Sequence, residues 1–105
     1  MGQDVLKASV QWADRARRDF RDILFYLKNR SPQAAMSLVG AISRQIQRLK
    51  SFPEAGRRVP EFPDSQPALR ELIIADYRLV YVFRSRKVEI LTIFHGRREF
   101  IQGFE

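Results

Sequence analysis

Cysteine is absent from this 105-residue chain, and histidine occurs once. The first absence excludes a disulfide scaffold, a thiolate metal site and cysteine catalysis. The second leaves scattered carboxylates around a single imidazole, too few ligands for a protein-built zinc site. No apolar run approaches the length of a membrane span, so no membrane partner is expected. The opening MGQDVLKAS lacks the apolar core of a signal peptide, which makes the cytoplasm the expected compartment. Internal repeats and low-complexity tracts are also missing. Lysine is scarce, with four residues against fifteen arginines.

What is present describes a folded, basic globule. A hydrophobic content of 45%, with 11% aromatics, is that of a packed domain rather than a disordered segment. The length fits a single domain over residues 1–105, with one core. The net charge of +7 rests mostly on arginine, the side chain suited to bidentate contacts with carboxylate or phosphate. A polyanion or an acidic protein is the natural partner, and a purely solubilising surface is the plain alternative.

Hydrophobic periodicity orders the elements. ASVQWA alternates at Val10 and Trp12 and reads as a short strand. Asp14 is placed to cap a helix running to about Asn29, with Ala16, Phe20, Ile23, Leu24 and Leu27 on one face. Ser31-Pro32 restarts a helix, a capping serine with proline at the first helical position. This second helix carries Ala35, Leu38, Val39, Ile42, Ile46 and Leu49 on one stripe and stops near Ser51, because Pro53 disfavours helical geometry at Phe52. The short connection predicts an antiparallel helical hairpin. A Pro- and Gly-punctuated loop spans Phe52 to Pro67, followed by three strand-like runs: LRELII, YRLVYVFR and VEILTIFH. Breaks at Ala75-Asp76 and Ser85-Arg86-Lys87 are short enough for an antiparallel meander. In the middle run, Tyr77, Leu79, Tyr81 and Phe83 alternate with Arg78, Val80, Val82 and Arg84. Apolar residues on both sides mark it as a central strand. The expected fold is α+β, in the order β-α-α-β-β-β, with the helical hairpin on one face of a mainly antiparallel four-stranded sheet.

Several short motifs stand on this frame. They are ARRDFRDI from Ala16 to Ile23, P-x-x-A from Pro32 to Ala35, and L-x-x-x-P-x-x-G-R from Leu49 to Arg57. LREL from Leu69 to Leu72, YRLVY from Tyr77 to Tyr81, and I-L-x-I-x-H-x-R-R from Ile90 to Arg98 follow. In this order and spacing the chain resembles the RelE/ParE superfamily of type II toxins over nearly its whole length, most closely the ParE-like branch. The resemblance implies the same α+β fold and a cognate antitoxin as partner. It also implies one of two activities: poisoning of DNA gyrase, or mRNA cleavage on the ribosome.

Chemistry separates the two. Cleaving RNA through its 2′-hydroxyl needs a base, an acid for the leaving oxygen, and cations for the developing phosphorane charge. Arg70, Arg78, His95 and Arg98 are the candidate catalytic residues for such an endonuclease, built on the basic sheet face. The lysine-rich face and C-terminal tyrosine of the RelE-like pattern are missing. Another endonuclease pattern follows its histidine directly with an aromatic, whereas here His95 is followed by Gly96, and Phe100 has no hydroxyl to move a proton. The ParE-like resemblance implies no metal, cofactor or catalytic constellation, and gyrase inhibition is the favoured reading. Arg57, Arg70, Arg78, Arg97, Arg98 and Phe100 are the candidate residues for meeting the target or the antitoxin.

Plainer roles stand beside these. Arg70 has Glu71 and Glu89 as cross-strand partners in reach, and Arg78 has Asp76. His95 can simply finish its strand, and Trp12 and Tyr81 can simply be core. Arg57 and Arg58 can be solvated surface. Charge alone predicts weak, salt-dependent, non-specific nucleic-acid binding.

Overall fold

The computed structural model describes residues 7–96. Strand β1 (Ser9–Trp12) leads into helices α1 (Asp14–Arg30) and α2 (Pro32–Ser51). Four further strands follow: β2 (Arg57–Arg58), β3 (Leu69–Ile74), β4 (Tyr77–Arg84) and β5 (Lys87–His95). They form one sheet in the order β1-β5-β4-β3-β2. β1 runs parallel to β5, and every other pairing is antiparallel. The expected β-α-α-β-β-β architecture is therefore present, with β4 at the centre of the sheet. The fifth strand is the difference: Arg57 and Arg58, read as part of the long loop, pair with Glu71 and Arg70 at the β3 edge. Two residues carry no periodicity, so no pattern in the sequence marks them.

Both helices start and stop for local reasons. α1 has Ala13 as its N-cap with no side-chain cap, and Asp14 is its first helical residue. The expected Asp14 cap is thus displaced by one position, and its carboxylate instead lies in the first turn, where it faces the helix dipole. At α2 the serine cap forms as expected, with Ala34 donating its backbone N–H to Ser31 Oγ at 3.2 Å. Pro32 costs that helix nothing at its first position, where the missing N–H has no intrahelical partner. The turn between β4 and β5 is tighter than the three-residue break expected. Ser85 and Arg86 take positive φ of 54° and 63°, and Lys87 already pairs with Arg84. Two left-handed residues in a two-residue hairpin match the right-handed twist of the strands they join.

Two apolar layers hold the sheet. On the helix side, Leu38, Ile42 and Leu49 of α2 and Ala16 of α1 are buried with Leu72, Ile74, Leu79, Tyr81, Ile90 and Ile93. Phe20, Ile23, Leu24, Leu27 and Ile46 pack against them half-buried, and the Trp12 and Phe20 rings stack at 5.3 Å. On the other side, Val59, Leu69, Val80 and Phe94 form a smaller cluster with Phe62, Val82 and Leu91. The segment after β2 therefore covers the face that the helices leave open. It is fastened there by Val59 N–H to Leu69 O, Leu69 N–H to Ser65 Oγ, and Arg58 Nη1 to Pro63 O.

Candidate functional site

The candidate arginines divide between the two faces of the sheet. Arg70 lies opposite Tyr81, on the helix side. Its Nη1 donates to the carbonyl of Gly56 at 2.9 Å and more weakly to that of Glu54, and the Glu54 carboxylate stands 3.7 Å from Nη2. Its carboxylate partner is therefore Glu54, not Glu71 or Glu89. The side chain of Glu71 points to the other face, and Glu89 lies on β5, beyond the intervening strand β4.

Arg78 lies on the opposite face, and its contacts are ionic. Its Nε donates to Glu71 Oε1 at 2.6 Å, and its two Nη groups meet both oxygens of Glu61 at 2.8 and 2.7 Å. The guanidinium also stands over the Phe94 ring at 5.3 Å. The expectation of pairing with Asp76 gives way to these two glutamates: Glu71 sits on the neighbouring strand and the same face, and Glu61 on the covering segment. Arg57 completes the cluster, bonding Glu71 Oε2 at 2.7 Å through both Nε and Nη2.

Charge explains why the groups stay together. The Glu71 carboxylate is fully buried, and two guanidiniums bracket it and supply the counter-charge that a buried carboxylate needs. Arg78 is itself buried, and its pKa is raised above the ordinary arginine value, chiefly by the hydrogen bonds it donates to Glu61, with Glu71 adding to it. The same contact with Arg78 holds the Glu61 carboxyl below its usual value of 4.5, against a smaller opposing effect of burial. Two arginines and two glutamates leave the cluster formally neutral.

The motif residues converge around this cluster. Gly56 donates its N–H to Tyr81 Oη at 2.9 Å while its carbonyl receives Arg70. A Cβ at Gly56 would come within 2.6 Å of Glu71 O and 2.8 Å of the Tyr81 ring. The G-R of P-x-x-G-R, the R-E of LREL and the arginine and last tyrosine of YRLVY thus meet at one corner of the sheet. Tyr81 is core, as expected, with its hydroxyl turned to the backbone of Gly56; burial is the main cause that raises its pKa.

His95 ends β5 opposite Tyr77, and the two rings meet edge to face at 5.6 Å. Two clefts flank it. One, of about 480 Å³, is lined by Asp19, Asp22, Tyr26, Tyr77 and His95. The other, of about 320 Å³, is lined by Arg57, Ile73, Asp76, Arg78 and His95. Asp19 accepts a 2.6 Å hydrogen bond from the buried Thr92 hydroxyl. Arg97, Arg98 and Phe100, also candidates, lie outside the described residues. Among the described residues no group of three potential ligands is arranged to hold a metal ion, and no helix is long and apolar enough to cross a membrane. Glu61 and Glu71 were not among the sequence candidates. Glu71 carried a faint signal, a carboxylate alternating with Leu69 and Ile73 on a strand face. Glu61 carried none.

A family model described as the ParE toxin of type II toxin-antitoxin systems, parDE, matches residues 10–100. Among named relatives, the putative toxin Y4kP of Sinorhizobium fredii is 33% identical over 94 residues, covering 89% of this chain and 93% of its own. Toxin RelE1 of Caulobacter vibrioides is 33% identical over 86 residues, covering 78% and 86%. Among solved structures, the chromosomal ParDE toxin-antitoxin system of P. aeruginosa superposes with a TM-score of 0.66 at 22% identity, over 86% of this chain and 97% of the other. The RelBE2 toxin-antitoxin complex of Mycobacterium tuberculosis gives 0.58 at 18% identity, over 85% and 91%. At these identities the two structures speak to the fold alone.

Proposed function

Because the chain belongs to the ParE toxin family of type II toxin-antitoxin systems, we propose that it arrests growth by inhibiting DNA gyrase through contact rather than by cutting RNA. One observation carries this reading. Among the described residues, the two cations that an endonuclease would turn on a phosphorane, Arg70 and Arg78, are committed to carboxylates and carbonyls of the chain itself and stand on opposite faces of the sheet. The larger cleft beside His95 presents Asp19 and Asp22, which repel a phosphate backbone.

The antitoxin is the second part of the proposal. A groove of about 540 Å³ lined by Trp12, Phe20, Leu24, Val39 and Ile46 has Arg17 and Arg21 on its border. It suits an amphipathic, acidic antitoxin segment, apolar residues inward and carboxylates toward the arginines, and the +7 charge would steer such a segment in. Ribosome-dependent mRNA cleavage is the alternative, and His95 beside an open cleft is the observation that favours it.

Expression without antitoxin, with DNA synthesis and translation followed in parallel, tests the target: DNA synthesis should stop first. His95→Ala should retain growth arrest at matched folded-protein levels, and Arg97→Ala with Arg98→Ala should weaken it. An endonuclease would behave in reverse, losing roughly 10²- to 10⁴-fold with the imidazole. Translation stopping first, with an inactive His95→Ala, would overturn the gyrase reading.

A further inference from the structure

The Arg57–Glu71–Arg78–Glu61 cluster joins two carboxylates held in different ways. Glu71 is fully buried on strand β3 between two guanidiniums and has no route outward. The Glu61 side chain is 40% exposed, on the segment linking β2 to β3, and its two oxygens meet both Nη groups of Arg78. A planar carboxylate on a planar guanidinium fork is the arrangement by which arginine recognises acidic groups from outside. Here the chain itself supplies the acid.

We infer that Glu61 is a resident, displaceable ligand, and that the Arg78 fork with Arg57 is a recognition site for a carboxylate of an acidic partner segment, which binds by taking the place of Glu61. The exchange is balanced. One carboxylate leaves as another arrives, so the buried guanidinium keeps both its counter-charge and its hydrogen bonds, and Glu71 stays in place throughout. The adjoining cleft is lined by Arg57, Arg78, Asp76 and the exposed side chain of Ile73, so two cations outweigh one carboxylate there and an incoming segment gains an apolar foothold beside the fork. A carboxylate is favoured over phosphate because the fixed Glu71 charge touching the same guanidinium opposes a doubly charged oxyanion more than a singly charged one. The inference does not depend on the gyrase reading: a chain without effect on gyrase would still make this exchange.

The test uses the full chain and a capped tetraglutamate peptide, with a tetraglutamine peptide and inorganic phosphate as comparison probes. If Glu61 occupies the fork nine-tenths of the time or more, removing it raises apparent affinity about tenfold or better. Glu61→Gln should therefore bind tetraglutamate at least tenfold more tightly than the wild type, without a matching gain for either comparison probe. In the wild-type chain, NMR should show the Phe62 and Val59 amides shifting on tetraglutamate addition while the Arg78 Nε–H resonance holds its position. This titration decides the matter even if Glu61→Gln folds poorly. Equal affinities in variant and wild type, or an unmoved covering segment in the titration, would overturn the inference. An equal gain for phosphate would overturn the choice of carboxylate. A gain in Glu99→Gln but not in Glu61→Gln would put the competitor in the chain's own C-terminal segment and refute the role of Glu61.

Discussion

Gly56 offers the sharpest test of the packed corner. Its backbone lies outside the left-handed region, so conformational freedom does not demand glycine here; space does. A methyl group would sit 2.6 Å from the carbonyl oxygen of Glu71 and 2.8 Å from both Cε1 and Oη of Tyr81. Neither neighbour can yield cheaply. The first is backbone in a paired strand, and the second is a fully buried ring. Relieving the overlap needs a shift of roughly 0.6–1 Å toward ordinary contact distance. Overpacking of this kind costs about 1–3 kcal/mol. The same shift breaks the buried hydrogen bond from Gly56 N–H to Tyr81 Oη, and a buried donor left unsatisfied adds about 1–3 kcal/mol. Reduced entropy of the unfolded chain returns only about 0.4–1 kcal/mol. Gly56→Ala should therefore lose roughly 2–5 kcal/mol, and at about 4–8 °C per kcal/mol the midpoint should fall by at least about 8 °C.

Thermal unfolding followed by circular dichroism reads this directly, and Tyr81→Phe sharpens it. That variant gives up the same hydrogen bond and removes one of the three close contacts. The two changes should then combine less than additively, with a coupling of about 0.5–3 kcal/mol. A Gly56→Ala protein melting within about 3 °C of the wild type would refute the reasoning. Strict additivity with Tyr81→Phe would refute the shared hydrogen bond.

Three further outcomes are expected. Glu71→Gln leaves the buried Arg78 short of counter-charge and should cost about 3–5 kcal/mol in urea denaturation, whereas Arg57→Ala leaves Glu71 its Arg78 contact but strips the donors from Oε2 and should cost about 1–3 kcal/mol; an Arg57→Ala loss near zero would contradict the bracketed-carboxylate picture. Ile42→Ala, at a buried position, should cost about 2–5 kcal/mol, and Leu24→Ala, at a half-buried one, should cost less by the same measure. Glu61 sets a pH dependence: its folded pKa lies below 4.5, so its contribution is complete above that value and is lost as pH falls through the lower folded one. Glu61→Gln should flatten the acid limb of the stability-pH curve, and an unchanged limb would count against the Arg78 contact.

Periodic elements were legible in the sequence because each announces itself many times over. α2 repeats its apolar stripe from Ala35 to Leu49, and β4 alternates for eight residues, so tertiary packing only had to agree with a pattern already written. Single-residue decisions were less legible. Whether Ala13 or Asp14 caps α1 depends on one backbone conformation, and the turn at Ser85 and Arg86 requires positive φ at two residues with no glycine to signal it. β2 exists because Arg57 and Arg58 find a free edge on β3, which is a property of the sheet and not of those two residues.

The arginines show why the site was harder to read than the fold. Each of Arg57, Arg70 and Arg78 is equally a candidate for an external anion when only the strand pattern is known. Alternation assigns Arg70 and Arg78 to faces, but the carboxylate that answers each one comes from elsewhere in the chain. Glu54 and Glu61 lie on the aperiodic stretch between α2 and β3, where no spacing rule links them to a strand position. Only the path of that stretch across the open face puts Glu61 in front of Arg78, with Val59 and Phe62 as its apolar anchors. The net charge of +7 is therefore a poor guide to where an anion binds. The sites with the best geometry for one already hold a carboxylate of the chain, and a partner's acid must either displace Glu61 or meet arginines that no glutamate holds so closely.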